Sequence, residues 1–210
     1  MEKLLFVDDH PIVRAGLIRI LKDSFPSIQI DEAENGQEAM TQVWEFDYDL
    51  VLLDISMPGR DGLSAIGQIK NIKPDLPILI LSMLPEELYG PRVFTAGASG
   101  YLEKMHPSGE LITTVKKILK GEKYMSSLLA EKLALSFVEE IESSPLEKLS
   151  DQEFQVMRLI ALGKTVEKIA NELSLSKKAI FKNRASIKKK MKMSNISEII
   201  RYAIEQGVVE

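Results

Sequence analysis

Cysteine is absent from the 210-residue chain, which excludes disulfides and thiolate-bound zinc. No apolar run approaches the ~18 residues that a membrane-spanning helix needs. Met1-Glu2-Lys3 leads straight into the apolar Leu4-Leu5-Phe6-Val7 without the layout of a signal peptide. Internal repeats and low-complexity tracts are missing as well. The expectation is a globular protein of the cytoplasm. A hydrophobic content of 45% and a charged content of 28% are ordinary for that class, so neither disorder nor a fibrous chain is indicated. The length suits one large domain or two modest ones.

What is present is a split in charge. Residues 1–125 hold 13 Lys and Arg against 19 Asp and Glu, residues 126–146 hold 1 against 4, and residues 147–210 hold 13 against 8. The net charge of −4 therefore conceals an acidic front and a basic tail. Two domains with different partners follow, the tail's being polyanionic.

The front alternates short apolar runs with segments of helical period, the pattern of a parallel sheet covered by helices on both faces. Strands are expected at 3–8, 28–32, 49–54, 77–82 and 99–103, and helices at 11–22, 36–46, 62–71, 85–96 and 108–120. The fold class is α/β, a flavodoxin-like doubly wound five-stranded parallel sheet of order 2-1-3-4-5, followed by a small all-α helix-turn-helix domain. Residues 127–142 read as a helix that Ser143-Ser144-Pro145 breaks. The expected divisions are 1–121, a linker with a helix at 122–146, and 147–210. In the tail, Ser150-Asp151-Gln152-Glu153 is a capping box and Gly163 a natural stop. Thr165 caps a short helix to Leu173, Ser176 a longer one to Lys192, and a last helix runs over 196–206 to Gly207.

The chemistry lies where strands end. Asp8-Asp9 close the first strand, Asp54 the third and Ser82 the fourth, and Lys104 follows the fifth. Ligands of an open α/β sheet bind outside the carboxyl ends of its strands, so these groups converge on one crevice. Carboxylates packed together repel one another and favour a cation among them; a small hard ion such as Mg2+ suits oxygen ligands. A lysine supplies a point charge for a phosphoryl group, and the Ser82 hydroxyl a hydrogen bond to it. Each residue also has a structural use. Asp9-His10-Pro11 would cap the next helix with proline at its first position, and Asp54 before Ile55-Ser56-Met57-Pro58-Gly59 could be a turn residue. Five such groups in order at strand ends outweigh those separate readings.

The segments VDDHPIVRAGL, VLLDISMPGRDGL, ILILS and GASGYLEK resemble the receiver domain of bacterial two-component response regulators, particularly the NarL/FixJ family, over residues 3 to about 121. The resemblance implies that Asp54 takes a phosphoryl group from a sensor histidine kinase. It implies Mg2+ on Asp9 and Asp54, with Asp8 acting near it and the Ser56 carbonyl as a further ligand. Ser82 would be the switch hydroxyl, Tyr101 a rotating aromatic and Lys104 the phosphate-binding lysine, although ordinary core packing is an equal reading of Tyr101. One departure stands out. Gly90-Pro91 falls inside the fourth helix, where proline removes a donor and costs ~3 kcal/mol in a regular helix, so a short, kinked or mobile helix is expected.

On the helix over 177–192, Ile180, Ile187 and Met191 share one stripe, with Lys178, Lys182, Ala185 and Lys189 opposite. The segment has eight Lys and Arg and no acid. With the turn through Ser174-Leu175-Ser176 it makes a helix-turn-helix whose second helix enters a major groove. Residues 149–209 resemble the LuxR-type DNA-binding domain. This implies groove contacts by Lys178, Lys182, Ser186 and Lys189, and phosphate contacts by Lys177, Arg184, Lys188 and Lys190. Phe181 and Asn183 stand where that family often has lysine and histidine, and Asn183 is counted among the expected DNA contacts. For Phe181 a half-buried packing role is favoured over a thymine-methyl contact. A stripe of Ile196, Ile199, Ile200, Ala203 and Ile204 is first of all core, and in the family part of that helix also forms a dimer contact.

The expected function is a transcription regulator switched by aspartyl phosphorylation, dimerising and binding double-stranded DNA, with RNA polymerase as a further partner. It is not an enzyme beyond its own phosphoryl transfer and dephosphorylation. The alternative is a DNA-binding regulator whose receiver works without phosphate. A phosphohydrolase with Asp54 as nucleophile fits less well: haloacid-dehalogenase-like enzymes carry a second Asp two residues on, where this chain has Ser56.

Overall fold

The computed structural model describes residues 2–57, 62–138 and 144–209, the side chains of 132 and 135–138 excepted. Pro58 to Asp61, shortly after Asp54 in the sequence, lie outside it. So do residues 139–143, into which the helix expected over 127–142 extends. The chain forms two compact units, Met1–Leu133 and Ala134–Glu210. Among the described residues no helix is long and apolar enough to cross a membrane.

The first unit alternates strand and helix: β1 (Lys3–Val7), α1 (Pro11–Ser24), β2 (Gln29–Ala33), α2 (Gly36–Glu45), β3 (Leu50–Leu53), α3 (Gly62–Ile72), β4 (Ile78–Ser82), α4 (Glu86–Thr95), β5 (Gly100–Glu103) and α5 (Ser108–Leu119). The strands pair in parallel in the order β2-β1-β3-β4-β5, as the alternation of segments implies. Each expected strand is present, shifted or shortened by a residue at its ends. β3 and β4 are buried throughout because helices cover both faces of the sheet. Side chains alternate across it. Leu4, Phe6, Leu50, Leu52, Leu79, Leu81 and Leu102 join Ile18 and Leu21 of α1 and Leu111, Val115 and Ile118 of α5 in one core. At the edge, Tyr124 bridges Gly100, its amide bonding Ser99 O and its carbonyl accepting from Tyr101 N. That contact covers the open side of β5.

α1 corrects one sequence expectation. Its N-cap is His10, with Pro11 at the first position as expected, but no side chain caps the helix. Asp9 therefore does not serve as the cap. α4 runs over ten residues, two fewer than the expected 85–96, with Pro91 inside it, so the proline removes one internal donor without ending the helix. Gly90 has a separate purpose: a Cβ there would lie 2.5 Å from Leu129 Cδ2. Leu129 is fully buried and belongs to α6 (Ser127–Val138), whose first turn thus lies on α4.

The second unit contains α7 (Asp151–Ala161), α8 (Val166–Glu172), α9 (Lys177–Met191) and α10 (Ile196–Glu205). α7 packs against the other three. Phe154, Val156, Met157, Ile169, Ile180, Ile187, Ile199 and Ala203 are buried there. Its boundaries follow the expected punctuation. Ser150 and Glu153 make both capping-box bonds, Thr165 accepts from Lys168 N, and Ser176 accepts from Ala179 N. Gly163 and Gly207 take left-handed φ values of 73° and 67° just beyond α7 and α10, where a side chain would be strained.

Candidate functional site

Asp8 follows β1, Asp54 follows β3, Ser82 ends β4 and Lys104 follows β5, so the sheet brings them to one crevice where its strand order reverses. Lys104 Nζ donates to Asp8 Oδ2 at 2.8 Å and to Asp54 Oδ2 at 2.6 Å. All three side chains are almost fully buried. The remaining oxygens are held by the loops that follow: His10 N donates to Asp8 Oδ1 at 2.8 Å, and Ser56 N to Asp54 Oδ1 at 2.7 Å. Each carboxylate is therefore fixed from two sides. Asp9 Oδ1 is buried and, among the described residues, accepts no hydrogen bond, although His10 Nδ1 lies 3.0 Å away. Asp8, Asp9, His10 and Asp54 offer ligand atoms that lie within 4.8 Å of one another. Three carboxylates, one with a buried oxygen left over, form a donor set that fits a hard divalent cation.

Arg14 is a partner that the sequence reading missed. Its guanidinium is buried, with Nη1 on the Asp8 carbonyl at 2.5 Å, Nε on Glu32 at 2.8 Å and Nη2 on Glu34 at 3.0 Å. It ties the end of β1 to the end of β2. The available signal was an arginine in the first turn of α1, facing the acidic run that closes the neighbouring strand.

From Ser82 a chain of hydrogen bonds leads away from the crevice. Ser82 Oγ lies 3.0 Å from Ser56 Oγ and accepts from Leu84 N at 3.1 Å. The Leu84 carbonyl accepts from the Tyr101 hydroxyl at 2.7 Å. Tyr101 is 1% exposed, and burial pushes its phenol well above the ordinary value. Glu86 N donates to Glu103 Oε1 at 2.9 Å, while Glu86 Oε1 accepts from Ser126 N at 3.0 Å, at the start of α6. Glu86 carried no sequence signal, because its partner is forty residues away.

The second unit presents α9. Ile180, Ile187 and Met191 are buried as expected. Lys178, Lys182 and Lys189 are exposed and, among the described residues, pair with no carboxylate. Arg184 and Lys188 are partly exposed. Four other expected residues are already engaged. Lys177 bonds Glu167 at 2.7 Å, and Asn183 donates to Ala179 O at 3.0 Å and Gln152 Oε1 at 3.4 Å. Ser186 and Lys190 both donate to Glu153, at 2.5 and 2.6 Å. Burial alone would raise the Glu153 pKa; Lys190, Ser186 and the Ser150 amide outweigh it and bring the value down to about 2. Phe181, expected to be half-buried, is 57% exposed, since α9 turns its Ile180 stripe inward.

Known proteins share both halves. The response regulator receiver domain family matches residues 4–116, and the LuxR family of bacterial regulatory proteins matches residues 147–203. The response regulator GacA of Pseudomonas syringae pv. syringae (strain B728a) is 32% identical over 211 residues, covering 100% of this chain and 99% of its own. The response regulator UvrY of Escherichia coli (strain K12) is 35% identical over 209 residues, covering 99% and 96%. Among solved structures, RcsB from Salmonella enterica serovar Typhimurium, bound to promoter P1flhDC in the presence of the phosphomimetic BeF3-, is similar with a TM-score of 0.73. It is 28% identical over 96% of this chain and 97% of that one. Matching the receiver family in its first half, the LuxR family in its second and these response regulators over nearly its whole length, the chain belongs to the NarL/FixJ family of two-component response regulators, which regulate transcription.

Proposed function

We propose that this response regulator is phosphorylated on Asp54 by a sensor histidine kinase and thereby controls its own dimerisation and its binding to promoter DNA. The observation that carries the reading is Lys104 Nζ seated between Asp8 and Asp54. In the transfer, a bond forms between an Asp54 carboxylate oxygen and phosphorus as the nitrogen–phosphorus bond of a phosphohistidine breaks. The electron pair stays on the departing imidazole. Asp8, Asp9, Asp54 and the Ser56 carbonyl would hold Mg2+, which on binding neutralises charge on the transferring group. Lys104 exchanges its bond to Asp54 for one to a phosphoryl oxygen, and Ser82 donates to another.

Recruiting Ser82 takes its proton from the contact with Ser56 Oγ, and the movement towards the phosphoryl group stretches the bond from the Leu84 amide and loosens the turn that Tyr101 holds through Leu84 O. The same turn leads into Glu86, the acceptor for the start of α6. A phosphoryl group thus biases a two-state element through contacts it makes in one state only. We divide the chain into a receiver at 1–121, a linker at 122–146 and a DNA-binding domain at 147–210. Lys178, Lys182 and Lys189 face the DNA, joined by Arg184 and Lys188 on phosphates. Lys177 and Asn183 join them only by giving up their present partners, whereas Ser186 and Lys190 serve α7 first. RNA polymerase is a further partner on promoters, in the cytoplasm.

Beryllofluoride with Mg2+ tests this reading. Wild type is expected to dimerise and to bind DNA more tightly, as read by light scattering and fluorescence anisotropy, and Asp54→Asn to do neither. An equal response in Asp54→Asn would show that the receiver acts without Asp54.

A further inference from the structure

α9 is the most basic helix of the chain, yet it carries one large apolar side chain in water. Phe181 is 57% exposed in the first half of a segment with eight Lys and Arg and no acid. At 100° per residue it lies beside Lys178 and Ala185, on the flank of the face opposite the buried Ile180 stripe. The Arg184 guanidinium lies 5.9 Å from its ring centroid, close enough to order the ring by cation–π attraction. A phenylalanine so placed adds little to folding, since most of its surface stays wet. Ala185, one turn on, is small and exposed.

Once the DNA-binding reading of α9 is accepted, the chemistry of the groove narrows what such a ring can contact. The N-terminal residues of a recognition helix meet base edges. In the major groove those edges are donors and acceptors, and the C5-methyl of thymine is the apolar feature among them. A phenyl ring has no hydrogen-bonding group. Over the amino group of cytosine it strips water from a donor and returns nothing, which is unfavourable. Over a thymine methyl it removes apolar surface from water on both sides.

We infer that Phe181 is a specificity-determining residue that selects thymine, through its C5-methyl, at one position in each half-site.

The test uses the full chain treated with beryllofluoride and Mg2+. DNA sites are selected from a random pool by wild type and by Phe181→Ala, which keeps a helix-forming residue at an exposed position. A fixed thymine is expected in the wild-type sites and a relaxed base in those of the variant. Deoxyuridine at that position, which removes only the methyl, should weaken wild-type binding about fourfold per half-site and leave the variant unchanged. Replacing the same base by cytosine should weaken wild type further, and 5-methylcytosine should restore part of the loss. A uracil effect equal in both proteins, or absent from wild type, overturns the role of Phe181 while the DNA-binding reading stands. Failure of wild type to enrich any sequence overturns both.

Discussion

Glu153 binds two structures together with one carboxylate. Through Ser150 N at 2.7 Å it completes the capping box of α7, and through Ser186 and Lys190 it fixes α9. Its folded value of about 2 lies below the ordinary 4.5, so the ionised form is the one that stabilises the fold. The sign follows by linkage: this contribution is fully present above about pH 4.5 and disappears as pH falls towards 2. Glu153→Gln should therefore cost about 1–3 kcal/mol at neutral pH. The difference from wild type should shrink across the interval from pH 4.5 to 2, as measured by urea unfolding at stepped pH. A constant difference across that interval would show that the carboxylate's charge is immaterial.

At the scale of elements, the contact of α6 with α4 rests on a missing side chain. Alanine at Gly90 gains about 0.5–1 kcal/mol of helix propensity. It also puts a Cβ 2.5 Å from Leu129 Cδ2, inside a packed contact. Overpacking of that kind costs about 1–3 kcal/mol, so the unfavourable term wins. Gly90→Ala should lower stability and speed hydrogen exchange at the start of α6. Leu129→Ala alone should cost about 2–5 kcal/mol, and less in the Gly90→Ala background, where Leu129 has already been displaced. An additive double-mutant cycle would mean that the two side chains do not meet. Helix ends in this protein were legible beforehand because a cap is local: Ser150 with Glu153, Thr165, Ser176 and Gly163 each act within a few residues. The α4 helix was less legible. A proline weakens a helix by a known amount, but neighbours such as Leu129 are not neighbours in sequence.

For the whole molecule, the acidic front and basic tail predict strong salt dependence of DNA binding. The logarithm of the affinity should fall linearly with the logarithm of salt concentration. Lys178→Ala and Lys182→Ala test the groups assigned to the reading face. Where a lysine meets a phosphate, its removal should reduce the salt slope by about one; where it meets a base edge, it should relax selectivity instead. Anisotropy titrations from 50 to 300 mM salt, an interval of about the range over which such contacts are lost, separate the two outcomes. Unchanged slope and selectivity in the double variant would move the interface off α9.

By itself the sequence determined the alternation of strands and helices, their parallel order, and the acidic groups at strand ends. Hydrophobic period and strand-end position are local properties, and Asp8, Asp54, Ser82 and Lys104 carry them openly. Only the tertiary structure decided the pairings over long separations. It placed Lys104 between two carboxylates, Arg14 beneath Asp8, and Glu86 at the start of α6. It also tied Ser186 and Lys190 to Glu153 and left more than half of Phe181 exposed. The physical reason is the same in each case. A residue's type and period fix which face of its element it occupies, whereas the partner on that face depends on how separate elements pack.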